Sequence, residues 1–109
     1  MPYDEVIADR VRRLMRNRRG QLEKKMFGGV GFLLRGNMCC GVWKEFLILR
    51  VGREQYAECL AKPFTQEFDI TGRPMQGWVM VEPGGFKTDT DLQDWIALAV
   101  DICRTLPAK

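Results

Sequence analysis

Side chains suited to reaction chemistry near neutral pH are scarce in this sequence. Its 109 residues include no histidine and no serine, so the commonest general base and the commonest activated nucleophile are both missing. Nucleophiles reduce to threonines and to Cys39, Cys40, Cys59 and Cys103, none with a histidine to activate it. The carboxylates Glu67, Asp69 and Glu82 are scattered singly in what read as loops and strand ends. No catalytic residue is assigned and no enzymatic activity is expected.

Metal and phosphate chemistry fare no better. The cysteines show no C-x-x-C spacing, and a zinc site could draw only on thiolates and carboxylates poorly placed for it. No metal and no cofactor are expected. Cys39 and Cys40 are adjacent in a segment that reads as a strand, so their side chains are expected on opposite faces, and buried reduced thiols fit a cytosolic chain. Gly28-Gly29-Val30-Gly31 has the glycines of a phosphate loop but leads into a strand instead of following one. A bulge or a close crossing of backbones explains it better.

Binding chemistry is better represented. Residues 1–25 hold eight lysines and arginines against four acids, whereas the rest of the chain is nearly balanced. At about 100° per residue, Arg12, Arg13, Arg16 and Arg19 fall on the helix side opposite Ile7 and Leu14. With Lys24 and Lys25 they would form a solvent-facing basic surface for an acidic partner. The same charges also complement the helix macrodipole, and Asp9 to Arg13 is a favourable i,i+4 pair. No aromatic residue is interleaved with the arginines, so a protein partner is expected ahead of nucleic acid, whose binding should be weak and indifferent to sequence. A second candidate joins the turn Arg73-Pro74-Met75-Gln76-Gly77-Trp78 to Met26 and Phe27 as the rim of a small-ligand pocket. The plainer reading of that turn is a Trp78 that plugs the core.

These residues need elements to hold them. A first helix is expected from Asp4, its N-cap, to about Arg18, with Tyr3, Ile7, Val11, Leu14 and Met15 on its apolar stripe and Gly20 just beyond its end. From Met26 the period changes. Val30 to Leu34 and Met38 to Trp43 flank a predicted hairpin turn at Gly36-Asn37, and a reversal at Lys44-Glu45 leads into Phe46 to Val51. A short helix over residues 54–61, stopped by Pro63, precedes strands at Phe68-Asp69-Ile70 and at Trp78 to Val81. The last helix starts at Thr88-Asp89-Thr90-Asp91, where Thr88 or Thr90 could cap it, and buries Leu92, Trp95, Ile96, Ala99, Cys103 and Leu106. The fold class is α+β: a two-layer, mostly antiparallel, five-stranded sheet with helices on one face, in the order α-β-β-β-α-β-β-α.

At 109 residues, 46% hydrophobic and 28% charged, the chain is expected to be a single globular domain over residues 1–109. No apolar run approaches the ~20 residues of a membrane span, and the N-terminus shows no export signal, so no membrane association and a cytoplasmic location are expected.

Lys25-Met26-Phe27-Gly28-Gly29-Val30-Gly31-Phe32-Leu33-Leu34-Arg35-Gly36-Asn37-Met38 resembles the opening signature of the TfoX/Sxy N-terminal domain family. Leu49 to Gly52, Phe68 to Trp78 and Asp91 to Trp95 resemble its later blocks, in the family's order. The resemblance implies a compact α/β fold of the same element order in a bacterial protein. It also implies an association with competence regulation, in which TfoX/Sxy proteins act as transcription co-regulators alongside the cyclic-AMP receptor protein. Full regulators of the family carry a further C-terminal domain, a stand-alone N-terminal domain is expected here, and the resemblance supplies no catalytic residue. The expectation is therefore a non-enzymatic regulatory or protein-interaction domain that engages a protein partner such as transcription machinery. The alternatives are a small-ligand-binding domain or cryptic enzyme using the Arg73 to Trp78 turn, and a structural domain that pairs as a homodimer through edge strands or apolar helix faces.

Overall fold

Asp4 opens the first helix through its side chain. Its Oδ1 accepts from the backbone N–H groups of Val6 at 2.8 Å and Ile7 at 3.2 Å, two donors that a first helical turn leaves free. In the computed structural model, which describes residues 3–26, 28–69, 72 and 75–108, this helix, α1, runs Glu5–Met15. It buries Ile7, Ala8, Val11 and Met15 on one stripe. It also stops earlier than the expected Arg18: Arg16 is the C-cap, and residues 16–20 form a separate turn.

Among the described residues six strands follow, not five. They are β1 (Gln21–Met26), β2 (Gly29–Leu34), β3 (Asn37–Trp43), β4 (Phe46–Arg50), β5 (Thr65–Glu67) and β6 (Trp78–Val81). In space they lie in the order β1-β2-β3-β4-β6-β5, and every neighbouring pair is antiparallel. The helices α2 (Arg53–Leu60) and α3 (Asp89–Arg104) complete the fold, with a 3₁₀ turn at Pro83–Phe86. The element order is thus α-β-β-β-β-α-β-β-α.

The unexpected strand is β1, whose Gln-Leu-Glu-Lys-Lys-Met sequence is too polar to read as one. It sits at the sheet edge and pairs only with β2, from Gln21 opposite Leu34 to Met26 opposite Gly29. An edge strand needs no apolar face on both sides, and its lysines discourage pairing with another chain. The hairpin between β2 and β3 turns one residue earlier than expected. Arg35 (φ 51°) and Gly36 (φ 86°) occupy its corner, and Asn37 already pairs with Leu34 inside the ladder. The reversal at Lys44-Glu45 is where the sequence puts it.

The expected strand at residues 68–70 is displaced to Thr65–Glu67, and Ile70 lies outside the described residues. The Thr65 hydroxyl accounts for the early start. It is within 3.1 Å of the carbonyls of Leu60 and Lys62 at the end of α2, so the chain turns there and enters the sheet at once. At α3 it is Thr88, not Thr90, that caps: its Oγ1 accepts from Asp91 N–H at 3.0 Å.

The main core lies between the helices and one sheet face. Phe32, Leu47, Leu49, Val79 and Val81 meet Val11 and Met15 of α1 and Leu92 and Ile96 of α3. The other face carries a smaller cluster of Ile48, Trp78 and Met80, flanked by Met38, Trp43, Phe46 and Phe68. Alternation along β4 produces the division, since Leu47 and Leu49 face the helices and Ile48 faces away. Cys39 and Cys40 do not divide this way. The β2–β3 register shifts between Phe32 and Leu33, the adjoining residue Cys39 has no opposite partner, and both cysteines enter the helix-side core. The close crossing expected at the glycines is real: a Cβ on Gly29 would collide with the Val42 carbonyl oxygen, and one on Gly41 would lie 2.7 Å from that of Val30. Among the described residues no helix is long and apolar enough to cross a membrane.

Candidate functional site

The basic N-terminal region is shaped by one ion pair. Arg12 reaches from α1 to β1, where its Nε and Nη2 each donate to a different oxygen of Glu23 at 2.7 Å. Its Nη1 also contacts Asp9. The hydrogen bond from Arg12 holds the Glu23 carboxyl below its ordinary range, and the reciprocal bond raises the guanidinium above its own. Arg12 is therefore engaged inside the fold, where its two carboxylates compete with any outside partner.

The remaining residues of the expected surface are exposed: Arg13, Arg16, Arg19, Lys24 and Lys25. Among the described residues no carboxylate pairs with any of them. They do not form one helical stripe, because α1 ends at Met15. Arg16 caps it, and Arg19 belongs to the turn that joins α1 to β1. Arg13 borders a small groove between α1 and α3 with Arg10, Leu92 and Asp89. Lys24 and Lys25 project to opposite sides of the edge strand β1. The outcome is a basic edge, formed where α1, its following turn and β1 are clamped together by Arg12 and Glu23.

A second concentration of positive charge lies beside this edge. Arg18, Arg19, Arg35 and Arg104 line a cleft of about 400 Å³ together with Leu34. Arg18, Arg35 and Arg104 are the residues that sequence reasoning missed. Arg35 and Arg104 are 69 residues apart in the chain, and Arg18 precedes both. Only the docking of the end of α3 against the β2–β3 hairpin makes them neighbours. The signal open to inspection was modest: an arginine in the last turn of a helix, where it complements the dipole, and one in a hairpin turn.

Of the other candidate residues, Phe27 and Arg73 lie outside the described residues, and Met26 is described as part of β1. Trp78 is buried on the face of the sheet away from the helices. The Arg50 guanidinium sits 5.0 Å above its ring centroid and Phe68 packs at 6.0 Å. Arg50 also donates to the Met38 carbonyl at 3.2 Å, so its position is fixed from two sides.

The thiols are poorly placed for chemistry. All four cysteines are free and buried. A hydrogen bond with Cys39, and burial, hold the Cys103 thiol well above its ordinary range, and burial raises that of Cys59. Among the described residues no three His, Cys, Asp or Glu side chains gather as a metal site would require.

The model of the TfoX N-terminal domain matches residues 15–102 of the chain. No curated protein and no solved structure matches it.

Proposed function

The chain belongs to the TfoX N-terminal domain family, and from that membership we propose that it is a non-enzymatic interaction domain with a regulatory role, docking an acidic protein partner such as a component of the transcription machinery. The observation that carries the reading is the basic edge: five exposed cations, Arg13, Arg16, Arg19, Lys24 and Lys25, without carboxylate partners among the described residues. Charges left this way contribute little to folding and steer an oppositely charged surface. The non-enzymatic part is supported by the residue inventory, which lacks histidine and serine, by the burial of all four cysteines, and by the thiols of Cys59 and Cys103, which are held above their ordinary range.

The test replaces Arg13, Arg16, Lys24 and Lys25 with glutamine and leaves Arg12 and Arg19 in place. Wild type and variant, checked for equal melting, are used to capture partners from a lysate of the source organism, and co-eluting proteins are identified by mass spectrometry. An acidic partner recovered by wild type and lost with the variant supports the reading. Equal recovery by both proteins removes the basic edge from the function.

A further inference from the structure

We propose that the cleft between Arg18, Arg19, Arg35 and Arg104 is a binding site for a small, multiply charged phosphate ligand. The inference goes beyond the docking surface above and does not depend on it.

The cleft is assembled by the fold rather than by local sequence. Three separate elements each bring arginine to it: the turn after α1 supplies Arg18 and Arg19, the β2–β3 hairpin supplies Arg35, and the last turn of α3 supplies Arg104. Hydrogen bonds hold these elements together. Arg35 N–H donates to the Gly20 carbonyl at 3.0 Å, so hairpin and turn are joined. Gly20 has φ 79°, and a Cβ there would lie 2.9 Å from Arg35 Cγ, so this glycine lets the arginine stem cross the turn. Arg35 Nη2 donates to the Arg104 carbonyl at 3.2 Å. On the far side of the hairpin, Asn37 Nδ2 donates to the Pro107 carbonyl at 2.8 Å and fixes the chain that leaves α3.

Among the described residues charge compensation fails here, as it does along the basic edge, and succeeds at Arg12 and Arg10. Arg12 has Glu23 and Asp9, and Arg10 has Asp89 and the Phe86 carbonyl. Among the described residues that line the cleft there is no aspartate or glutamate. The carbonyl bond of Arg35 supplies a dipole, not a counter-charge. Arg18 shows the deficit most directly, because its Nε is buried and has no hydrogen-bond partner among the described residues. A buried donor left unpaired, on one of four arginines that line the same cleft, marks a place where an acceptor of opposite charge is missing among the described residues.

The chemistry of that acceptor follows from the donors. Guanidinium forks match the paired oxygens of carboxylate and phosphate, and four of them exceed what one carboxylate can neutralise. A volume of about 400 Å³ admits more than a single phosphate, which points to a diphosphate or a phosphate ester. Among the described residues the lining offers Leu34 and no aromatic side chain on which a base could stack, which favours a small ligand over a nucleic-acid strand.

The experiment measures binding of inorganic pyrophosphate to the full chain by calorimetry and by its effect on the melting temperature. Sodium sulfate and sodium chloride at matched ionic strength are the references, with a single-stranded oligonucleotide as the competing source of phosphate. One pyrophosphate per chain is expected, with stabilisation beyond either salt. Arg18→Gln and Arg104→Gln should each weaken binding roughly tenfold or more, while Arg13→Gln, outside the cleft, should not. Without pyrophosphate, both cleft variants should melt at or above the wild-type temperature, because each relieves repulsion among the arginines. A purely structural role would lower that temperature, which is the opposite sign. Pyrophosphate no more effective than sulfate, binding indifferent to both cleft variants, or an oligonucleotide that outcompetes pyrophosphate would each overturn the proposal. None of these readings involves a protein partner, so failure here is separate from failure of the docking surface.

Discussion

Arg12 and Glu23 meet edge to edge, the two guanidinium nitrogens Nε and Nη2 each 2.7 Å from one carboxylate oxygen, and the contact joins the first helix to an edge strand that has only one strand neighbour. Because β1 lacks a second neighbour, side-chain bonds to α1 matter more to it than to the inner strands. Bidentate geometry at a partly buried position places this pair above an ordinary surface ion pair.

The pair should give the fold an acid-sensitive component. Glu23 has its carboxyl held below the ordinary value of 4.5 by the hydrogen bond from Arg12. Its contribution to stability is therefore complete above that value and is lost as pH falls through the lower folded value. In urea titrations, Glu23→Gln and Arg12→Gln should each be less stable than wild type at neutral pH, with a coupling energy of about 1 kcal/mol in the double-mutant cycle. Both should show a shallower loss of stability below pH 4.5. Equal acid profiles for wild type and Glu23→Gln would show that other carboxylates dominate.

Trp78→Ala should cost about 3 to 5 kcal/mol by chemical denaturation, the range for removing a large buried aromatic. The residue retains 9% of its surface and is held between Arg50 and Phe68 on the sheet face that lacks helices. Trp78→Phe keeps the ring against Phe68 and should recover most of the loss. A cost below about 1 kcal/mol for the alanine variant would mean that this cluster is peripheral to folding.

Gly41→Ala tests the close approach of β2 and β3. The added methyl would meet the Val30 carbonyl oxygen at 2.7 Å, a backbone atom that cannot swing aside. The expected cost is about 1 to 3 kcal/mol, as for overpacking, with faster hydrogen exchange along both strands. A variant as stable as wild type would show that the two strands separate easily.

Asn37 is a buried polar residue, and its amide donates to the carbonyl of Pro107. Asn37→Ala should cost about 1 kcal/mol, because the Pro107 carbonyl can turn to water. Asn37→Asp should cost more, since a carboxylate there can only face an acceptor with an acceptor. Amide-proton chemical shifts of residues 104–106 and 108 should move in both variants. Unchanged shifts would mean that the tail holds its place without this bond.

The thiols should resist modification. All four are buried and free, so native protein should react slowly with Ellman's reagent and release four equivalents only in denaturant. For Cys103, raising the pH to the ordinary thiol value of 9.0 should accelerate the reaction little, because its bond with Cys39 and its burial keep it protonated. Fast native labelling would indicate that the core opens near α3.

Much of the architecture is legible in the sequence because it rests on local patterns. Asp4 and Thr88 announce their helices through capping chemistry, and the alternation of Leu47, Ile48 and Leu49 encodes two faces of one strand. The failures share a cause in tertiary context. Strand β1 is polar because an edge tolerates it, and the turn at residues 16–20 interrupts an arginine-rich run that continues smoothly in periodicity. The bulge at Phe32 and Leu33 sends Cys39 inward against simple alternation. At the candidate site, composition identifies the exposed cations but not their separate fates. Arg12 is taken up by Glu23, while Arg18 is brought toward Arg104, which no local spacing encodes.

The bond between Asn37 and Pro107 also sets the direction in which anything joined to the far end of the chain would emerge. Pro107 is held next to the hairpin that carries Arg35, so an affinity tag or fusion partner attached downstream would start within reach of the arginine cleft. An acidic linker there would act as an internal competitor and mask the site, and a polyhistidine tag would add a pH-dependent repulsion to it. Binding measurements on this protein therefore call for an untagged chain or a tag at the opposite terminus.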